Sequence, residues 1–183
     1  LGKNLILYIT SSTNDSGITR LDEAGTNLLK ANTWYHVGFV FDGTLVTSSR
    51  AKIFINGVDT NSPAFGFIPL TTTNNTAPFK IGNWSGTLNR PFNGSIDDVR
   101  VYNRALSQSD ITALYKYGQT KVASSLQAKP TSGDTLKNGL VGWWTMDGTD
   151  VTVNTTTDKS ESGNNGTRTA VTPIAGKIGQ AMK

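Results

Sequence analysis

The adjacent aspartates Asp97 and Asp98 form the most specific polar pair in the sequence. They lie in residues 95–102, which alternate as in a β-strand, so the two side chains should point to opposite faces and cannot hold one ion together. Asp98 shares its face with Arg100, which can neutralise it, whereas Asp97 has no such neighbour. A buried carboxylate needs a cation or several hydrogen-bond donors. We therefore predict that Asp97 is either a calcium ligand or a carboxylate bonded to loop amides.

Acid–base and nucleophilic chemistry finds little support in the residue types. Glutamate occurs only at positions 23 and 161, in turn-like surroundings and without an acidic neighbour at strand spacing. Glycosidases need two carboxylates that flank one bond, so we interpret Glu23 and Glu161 as surface residues. The absence of cysteine excludes thiol chemistry and disulfides. The one histidine, His36, lies on a predicted strand and is expected to be a hydrogen-bonded structural residue. These patterns predict that the chain is not an enzyme.

Four tryptophans are candidates for contact with a sugar, because an aromatic ring can pack on the apolar face of a pyranose. Trp34, Trp143 and Trp144 lie inside predicted strands, where a tryptophan usually belongs to the core. Trp84 lies at a strand end, in the sequence GNWSG, and is the one that we expect to be exposed. Trp84 is therefore the predicted ligand-binding residue.

The composition is typical of a secreted all-β protein. Of the 183 residues, 36% are hydrophobic and 16% are charged, and Thr, Ser, Asn and Gly are abundant. The net charge of +4 is spread over single Lys and Arg residues, so no basic patch indicates a nucleic-acid partner. No apolar run approaches the ~20 residues that a membrane span requires. We expect neither nucleic-acid binding nor a membrane span.

The elements that must position these residues are predicted to be strands with one helix. Asn56-Gly57 is a strong signal for a two-residue hairpin turn. Ser107 and Asp110 form a capping-box pattern, which predicts a short helix over residues 107–117. Hydrophobic alternation predicts strands at residues 5–10, 18–21, 34–41, 52–55, 79–84, 95–102 and 140–146.

Several segments resemble one known family. Residues 32–43 (NTWYHVGFVFDG), 51–60 (AKIFINGVDT) and 94–111 (GSIDDVRVYNRALSQSDI) resemble the C-terminal part of a laminin-G-like domain of the concanavalin-A-like lectin/glucanase superfamily. Residues 138–183, with NGLVGWWTMDGTD, SGNNGT and GKIGQAMK, resemble the beginning of the same domain type. The resemblance implies the C-terminal part of one sandwich in residues 1–118, a linker in 119–137 and the N-terminal part of a second sandwich in 138–183.

The resemblance also implies a fold and a metal site. The fold is an all-β antiparallel β-sandwich, a jelly roll of the concanavalin-A-like type, with one short C-terminal helix. Related glucanases carry their catalytic carboxylates in a Glu-x-Asp-x-(x)-Glu pattern, which this sequence lacks. In these relatives the aspartate of a D-x-V-R-V-Y strand helps to hold a structural calcium ion near the N-terminal strand. That pattern places one ligand at Asp97 and the matching contributor at Asp147, in the next repeat.

The expected function is that of a non-catalytic carbohydrate- or protein-binding module in a large secreted or cell-surface repeat protein of a bacterium, with an adhesive or spacer role. Two alternatives stay open: a subunit of an extracellular filament or surface layer assembled by strand complementation, and an accessory domain of a glycoside hydrolase. The expected partners are a glycan or surface protein and other copies or repeats of the protein. Because residues 1–118 present more apolar strand surface than they can cover, we predict that residues 138–183 pack mainly on a different copy or repeat.

Overall fold

The structure is a computed structural model that forms two compact units. The first unit comprises Leu1–Thr76 and Arg104–Tyr117, and the second comprises Ala77–Asn103 and Gly118–Lys183. Neither unit is continuous in sequence, so each depends on contacts between distant segments. The structure describes residues 6–10, 18–22, 29–60, 68–72, 78–83, 91–120 and 135–183.

The described strands of the first unit form two antiparallel sheets. β1 (Ile6–Thr10) pairs with β2 (Ile18–Asp22) along their full length. β3 (Val37–Phe41), β4 (Ala51–Ile55) and β5 (Val58–Asp59) form a three-stranded sheet in that order. The strands lie where the sequence predicts them, but burial does not follow one face of each strand: Val37 and Phe39 of β3 are exposed, whereas Val40 is buried.

The hairpin turn and the helix of the first unit confirm their sequence signals. Asn56 and Gly57 have φ values of 53° and 80°, as a two-residue turn with a left-handed backbone requires. Helix α1 (Gln108–Thr120) begins directly after Ser107. The Ser107 amide donates to Asp110 Oδ2 at 3.0 Å, and the Asp110 amide donates to Ser107 Oγ at 3.2 Å. This reciprocal pair is the capping box that the sequence predicts.

Apolar side chains pack on both faces of β4. On one face Ala51 and Ile53 are fully buried and form a cluster with Ile68. On the other face Phe54, which is 1% exposed, packs with Val40 of β3 and Ile111 of α1. The helix therefore covers one face of the three-stranded sheet. Among the described residues no helix is long and apolar enough to cross a membrane.

The second unit consists of shorter strands joined by polar loops. β6 (Val99–Tyr102) and β7 (Leu140–Trp144) form an antiparallel pair, with Val99 opposite Trp144. Val99 and Val101 pack against a cluster of Trp144, Met146 and Met182. The other described strands are two or three residues long and form two antiparallel pairs: β8 (Thr155–Thr156) with β9 (Gly166–Thr167), and β10 (Pro173–Ala175) with β11 (Gln180–Met182).

The antiparallel all-β class and the short helix are confirmed, and two strand predictions need correction. Residues 78–83 form no strand; they contribute one isolated bridge, between Asn83 and Pro91. The strand predicted from residue 95 begins at Val99, and Ile96 instead forms an isolated bridge with Met182. A closed jelly-roll sandwich and the domain boundaries near residues 118 and 138 stay predictions, since residues 121–134 of the linker lie outside the described ranges.

The prediction that residues 138–183 pack mainly on a different copy or repeat, and not on residues 1–118 of the same chain, was wrong. β7 pairs with β6 of its own chain, and Met182 exchanges two backbone hydrogen bonds with Ile96, at 2.9 and 3.0 Å. The argument from uncovered apolar surface assumed that this segment was engaged elsewhere. In the structure the segment itself covers Val99 and Val101.

Candidate functional site

One loop, residues 176–180, contacts both predicted calcium ligands. The Ile178 amide donates to Asp97 Oδ2 at 2.8 Å, and the Gln180 amide donates to Asp147 Oδ1 at 2.8 Å. Asp97 precedes β6 and Asp147 follows β7, so the pairing of these two strands brings both carboxylates to the same loop. The resemblance assigned Asp147 to a different repeat from Asp97, but here a single segment, residues 176–180, binds both carboxylates.

Two glycines let the loop approach the carboxylates closely. A Cβ atom at Gly176 would lie 2.7 Å from Asp97 Oδ2, which is too close for a real contact. A Cβ atom at Gly179 would collide with the carboxylate of Asp147, and Gly179 also has a φ of +62°, where glycine is favoured. The glycine spacing in GKIGQ is thus a sequence signal for the cradle around these two aspartates.

The electrostatic environment of Asp97 favours a neutral carboxyl or a bound cation. Burial raises the pKa of Asp97 to about 6, and the negative charges of Asp98 and Asp147 add to the rise. The backbone amides of Ile178 and Lys177 oppose it, but they do not cancel the cost of burial. A charged group in such a place is stabilised by a nearby positive charge.

The two carboxylate oxygens of Asp97 suit a calcium ligand. Its Oδ1 atom is buried and accepts no hydrogen bond from the described residues, whereas its Oδ2 atom bonds to the loop. Within the described ranges no group of three or more Asp, Glu, His or Cys side chains could hold a metal. A cation here would therefore combine the carboxylates of Asp97 and Asp147 with backbone carbonyls or water, a set of oxygen ligands that suits calcium.

Backbone strain lies directly beside both carboxylates. Asp98, next to Asp97, has a φ of 47°, and Met146, next to Asp147, has a φ of 62°. Left-handed backbone is uncommon for residues other than glycine and is often retained at binding sites. The side chains of these two residues are held in place: Asp98 binds Arg100, and Met146 is buried in the core.

Asp98 is the common acceptor of a three-residue network. Arg100 forms a two-oxygen ion pair with it at 3.2–3.3 Å, as the sequence predicts. The indole Nε1 of Trp143 donates to Asp98 Oδ1 at 2.6 Å, and the Arg100 guanidinium lies 4.5 Å from the Trp143 ring centre. The network joins β6 to β7 and leaves Asp97 without the cation that neutralises Asp98.

Asp158 organises the following loop and was missed by the sequence analysis. Its carboxylate accepts hydrogen bonds from the amides of Trp143, Ser160 and Asn164 and from the Ser160 hydroxyl. Burial alone would raise the pKa of Asp158, but these donors outweigh it and hold the pKa below its usual value. The polar run DKSESGNNG, with an Asp followed two residues later by a Ser, was a signal for such a turn.

The remaining candidates lie apart from this cluster. Trp84 and Glu23 fall outside the described residues, so Trp84 stays a sequence prediction. Glu161 is exposed, at a turn position with a φ of 71°. His36 is half-buried in the first unit, and its ring centre lies 6.0 Å from that of Tyr115. Trp34 was expected in the core but is 38% exposed, because it precedes β3 instead of lying within it.

Two exposed phenylalanines flank the segment that contains Trp84. Phe79 is 67% exposed and Phe92 is 60% exposed. The Phe92 amide donates to the Gly82 carbonyl at 2.7 Å, which holds the two sides of the segment together. One face of Phe79 stacks near Trp144, with 6.0 Å between ring centres and 22° between planes. These aromatics were assigned to a strand or a turn by the sequence, and their exposure appears only in the structure.

The comparisons with known proteins agree with the fold class. A family model described as the concanavalin A-like lectin/glucanases superfamily matches residues 2–112. The chain therefore belongs to this superfamily, through its laminin-G-type branch. Neither a curated protein nor a solved structure matches the chain significantly.

Proposed function

We propose that this chain is a non-catalytic glycan-binding module of a secreted or cell-surface repeat protein of a bacterium. The observation that carries the proposal is membership of the lectin/glucanase superfamily over residues 2–112. Fold alone does not define a ligand, so the proposal also rests on the side chains that are free to meet one and on those that are not.

Exposed aromatic rings supply a surface for sugar. Phe79 and Phe92 are more than half exposed, and a phenyl ring can pack on the apolar face of a pyranose. Asn93, beside Phe92, is also exposed and offers an amide to sugar hydroxyls. Together with the sequence candidate Trp84, these residues define the proposed ligand surface.

Three carboxylates of the second unit, those of Asp98, Asp150 and Asp158, have structural partners, which supports binding over hydrolysis by these residues. Asp98 pairs with Arg100 and Trp143, and Asp158 accepts four hydrogen bonds from backbone and serine groups. Asp150 bonds to Thr145 and Lys159. General acid catalysis needs a carboxyl that is free to reach the leaving group. These three carboxylates are held away from that role.

A structural calcium ion is part of the proposal. Asp97 and Asp147 would hold it, and the ion would supply the positive charge that the buried Asp97 carboxylate lacks. Its effect would be to fix the loop of residues 176–180 against the ends of β6 and β7. No step of ligand binding requires it to touch the sugar.

The test is a glycan array probed with the full chain, followed by titration calorimetry on the best sugar. We expect Phe92→Ala and Trp84→Ala each to weaken binding by roughly ten-fold, which corresponds to about 1.4 kcal/mol. Val153→Ala is the matched control, since Val153 is an apolar side chain of the second unit that is 86% exposed and distant in sequence from the proposed surface. Absence of binding to every glycan, or equal affinity in all four proteins, would reject the proposal.

A further inference from the structure

The partner strand of β6 lies outside the region that defines the family. The family match ends at residue 112, yet β6, inside the match, is paired with β7 at Leu140–Trp144. The chain between them passes through α1 and through residues 121–134. The two paired strands are therefore separated in sequence by residues 103–139, which include α1.

Backbone hydrogen bonds join the two segments beyond the paired strands. Asn103 donates to the Gly139 carbonyl at 2.8 Å at one end of β6. At the other end Ile96 and Met182 exchange two hydrogen bonds. Residues 138–183 thus contact the segment 96–103 along its whole length, and the Ile178 amide adds a bond to Asp97. An extended segment that pairs with a strand edge in this way gains affinity from the main chain.

Side chains on the two faces of the pair give the docking its register. On one face Val99 and Val101 meet the buried Trp144. On the other face Trp143 meets Asp98 and Arg100. A shift of one residue would exchange the faces of the two tryptophans, placing the indole that binds Asp98 in the apolar cluster. The adjacent Trp143 and Trp144 therefore specify one alignment.

We propose that residues 138–183 are a docking partner of the strand at residues 96–103, and that this docking holds without the covalent connection through residues 121–134. The functional module then extends beyond the family match and includes the C-terminal segment. The Asp98–Arg100–Trp143 network is the specificity element of the docking surface. The ligand of the surface is residues 138–183 of the same chain.

The experiment cuts the connection in the intact protein. A recognition sequence for a site-specific protease is inserted between residues 127 and 128, the full-length protein is purified, and it is then cleaved to completion. We expect the two pieces to co-elute in size-exclusion chromatography at micromolar concentration with the mass of one copy of each by light scattering. Separation of the pieces, aggregation on cleavage, or a complex with two or more copies of each would overturn the proposal.

Two conservative variants test the specificity element. Trp143→Phe keeps an aromatic ring but removes the indole donor, and Asp98→Asn keeps the shape but removes the charge. Each should speed dissociation of the cleaved pieces by roughly ten-fold or more, as expected for loss of a hydrogen bond to a charged group. Lys52→Gln is the control, because it removes an ion pair with Asp59 in the first unit. Unchanged dissociation in both variants would reject the assigned role of the network.

Discussion

The three-stranded sheet of the first unit and the β6–β7 pair of the second are stabilised in different ways. In the first, five-residue strands bury apolar side chains on both faces of β4, with Ile53 and Phe54 almost inaccessible. In the second, β6 and β7 are accompanied by strands of only two or three residues and by loops, and backbone amides there bind the carboxylates of Asp97, Asp147 and Asp158. The comparison teaches that two regions of one β-rich chain can be stabilised by different interactions.

The difference follows from strand length. A strand of two or three residues makes few ladder hydrogen bonds, so the backbone groups around it need other partners. β8 to β11 are all of this length. Aspartate side chains provide acceptors at the amides that the ladders leave over, and a bond to a charged acceptor is stronger than one between neutral groups.

The largest expected effect is in the apolar region. Phe54→Ala should lower the free energy of unfolding by about 3–5 kcal/mol, because it removes a large buried side chain and leaves a cavity between the sheet and α1. Urea denaturation followed by circular dichroism measures the change. Phe39→Ala is the control on the adjacent strand, since Phe39 is 47% exposed and should cost less than about 1 kcal/mol. Equal losses for the two variants would contradict the assignment of Phe54 to the core.

The next effect tests whether carboxylates stabilise the second unit to a comparable degree. Asp158→Asn replaces one carboxylate oxygen by an NH2 group that faces backbone donors. Because the backbone amides of Trp143 and Asn164 then lose a charged acceptor, the free energy of unfolding should fall by about 2–4 kcal/mol. Tryptophan fluorescence during urea denaturation measures the change, with Trp143 and Trp144 reporting on this unit and Trp34 on the first. Glu161→Gln makes the same chemical change at an exposed position of the same loop and should be nearly neutral.

The pH dependence of the same residue has a definite sign. The pKa of Asp158 is lowered on folding, so its contribution is present above the unfolded value near 4 and is lost as the pH falls through the lower folded value. Wild-type protein should therefore lose more stability on acidification below pH 4 than Asp158→Asn does. A parallel loss in the two proteins would mean that Asp158 is not the group that titrates.

The sequence predicts local features of both regions well. Alternation predicted β3 and β4, Asn56-Gly57 predicted their connection, and the Ser107–Asp110 pattern predicted the start of α1. The Asp98–Arg100 pair was predicted from strand spacing and is confirmed, although Asp98 itself precedes β6 and has a left-handed backbone. Each of these signals depends on residues only a few positions apart, where secondary-structure geometry fixes the distance between side chains.

Contacts between distant segments could not be predicted in the same way. The bond from Ile178 to Asp97 joins residues 81 positions apart, and the bond from Trp143 to Asp98 joins residues 45 positions apart. Loop amides were one of the two predicted kinds of partner for Asp97, and the Ile178 amide confirms that contact, but the sequence did not tell which loop supplies it. The docking of residues 138–183 was missed because a strand pattern does not tell which chain will supply its partner.

A further prediction sharpens the comparison at Asp97. Calcium should stabilise wild-type protein by about 1.4 kcal/mol at ten times its dissociation constant, and should have little effect on Asp97→Asn. Thermal unfolding with calcium and with chelator measures the difference, and magnesium serves as the control ion. Stabilisation of both proteins to the same extent would show that the ion binds elsewhere.

The same site predicts an opposite pH dependence from that of Asp158. Because the pKa of Asp97 is raised to about 6 on folding, its stabilising effect without calcium is fully present below the unfolded value near 4 and is lost as the pH rises through 6. Calcium binds the ionised carboxylate, so its effect on the melting temperature should appear above pH 6 and fade below it. A calcium effect that is constant from pH 5 to pH 8 would exclude Asp97 as the ligand.

The smallest expected effect lies at the N-terminus of α1 in the first unit, where the Asp110 carboxylate is part of the helix cap. Ser107→Ala removes the hydroxyl that accepts from the Asp110 amide and should cost about 1 kcal/mol, as helix caps usually do. Burial alone would raise the pKa of Asp110, but Arg104 and Ser107 hold it below its usual value, so the charged Asp110 should keep part of the cap in the variant. Ser48→Ala, which removes an exposed hydroxyl elsewhere in the first unit, is the control and should change stability by less than about 0.5 kcal/mol. A loss of about 3 kcal/mol in Ser107→Ala would mean that the first unit depends on polar contacts as strongly as the second, and the contrast between the two regions would fail.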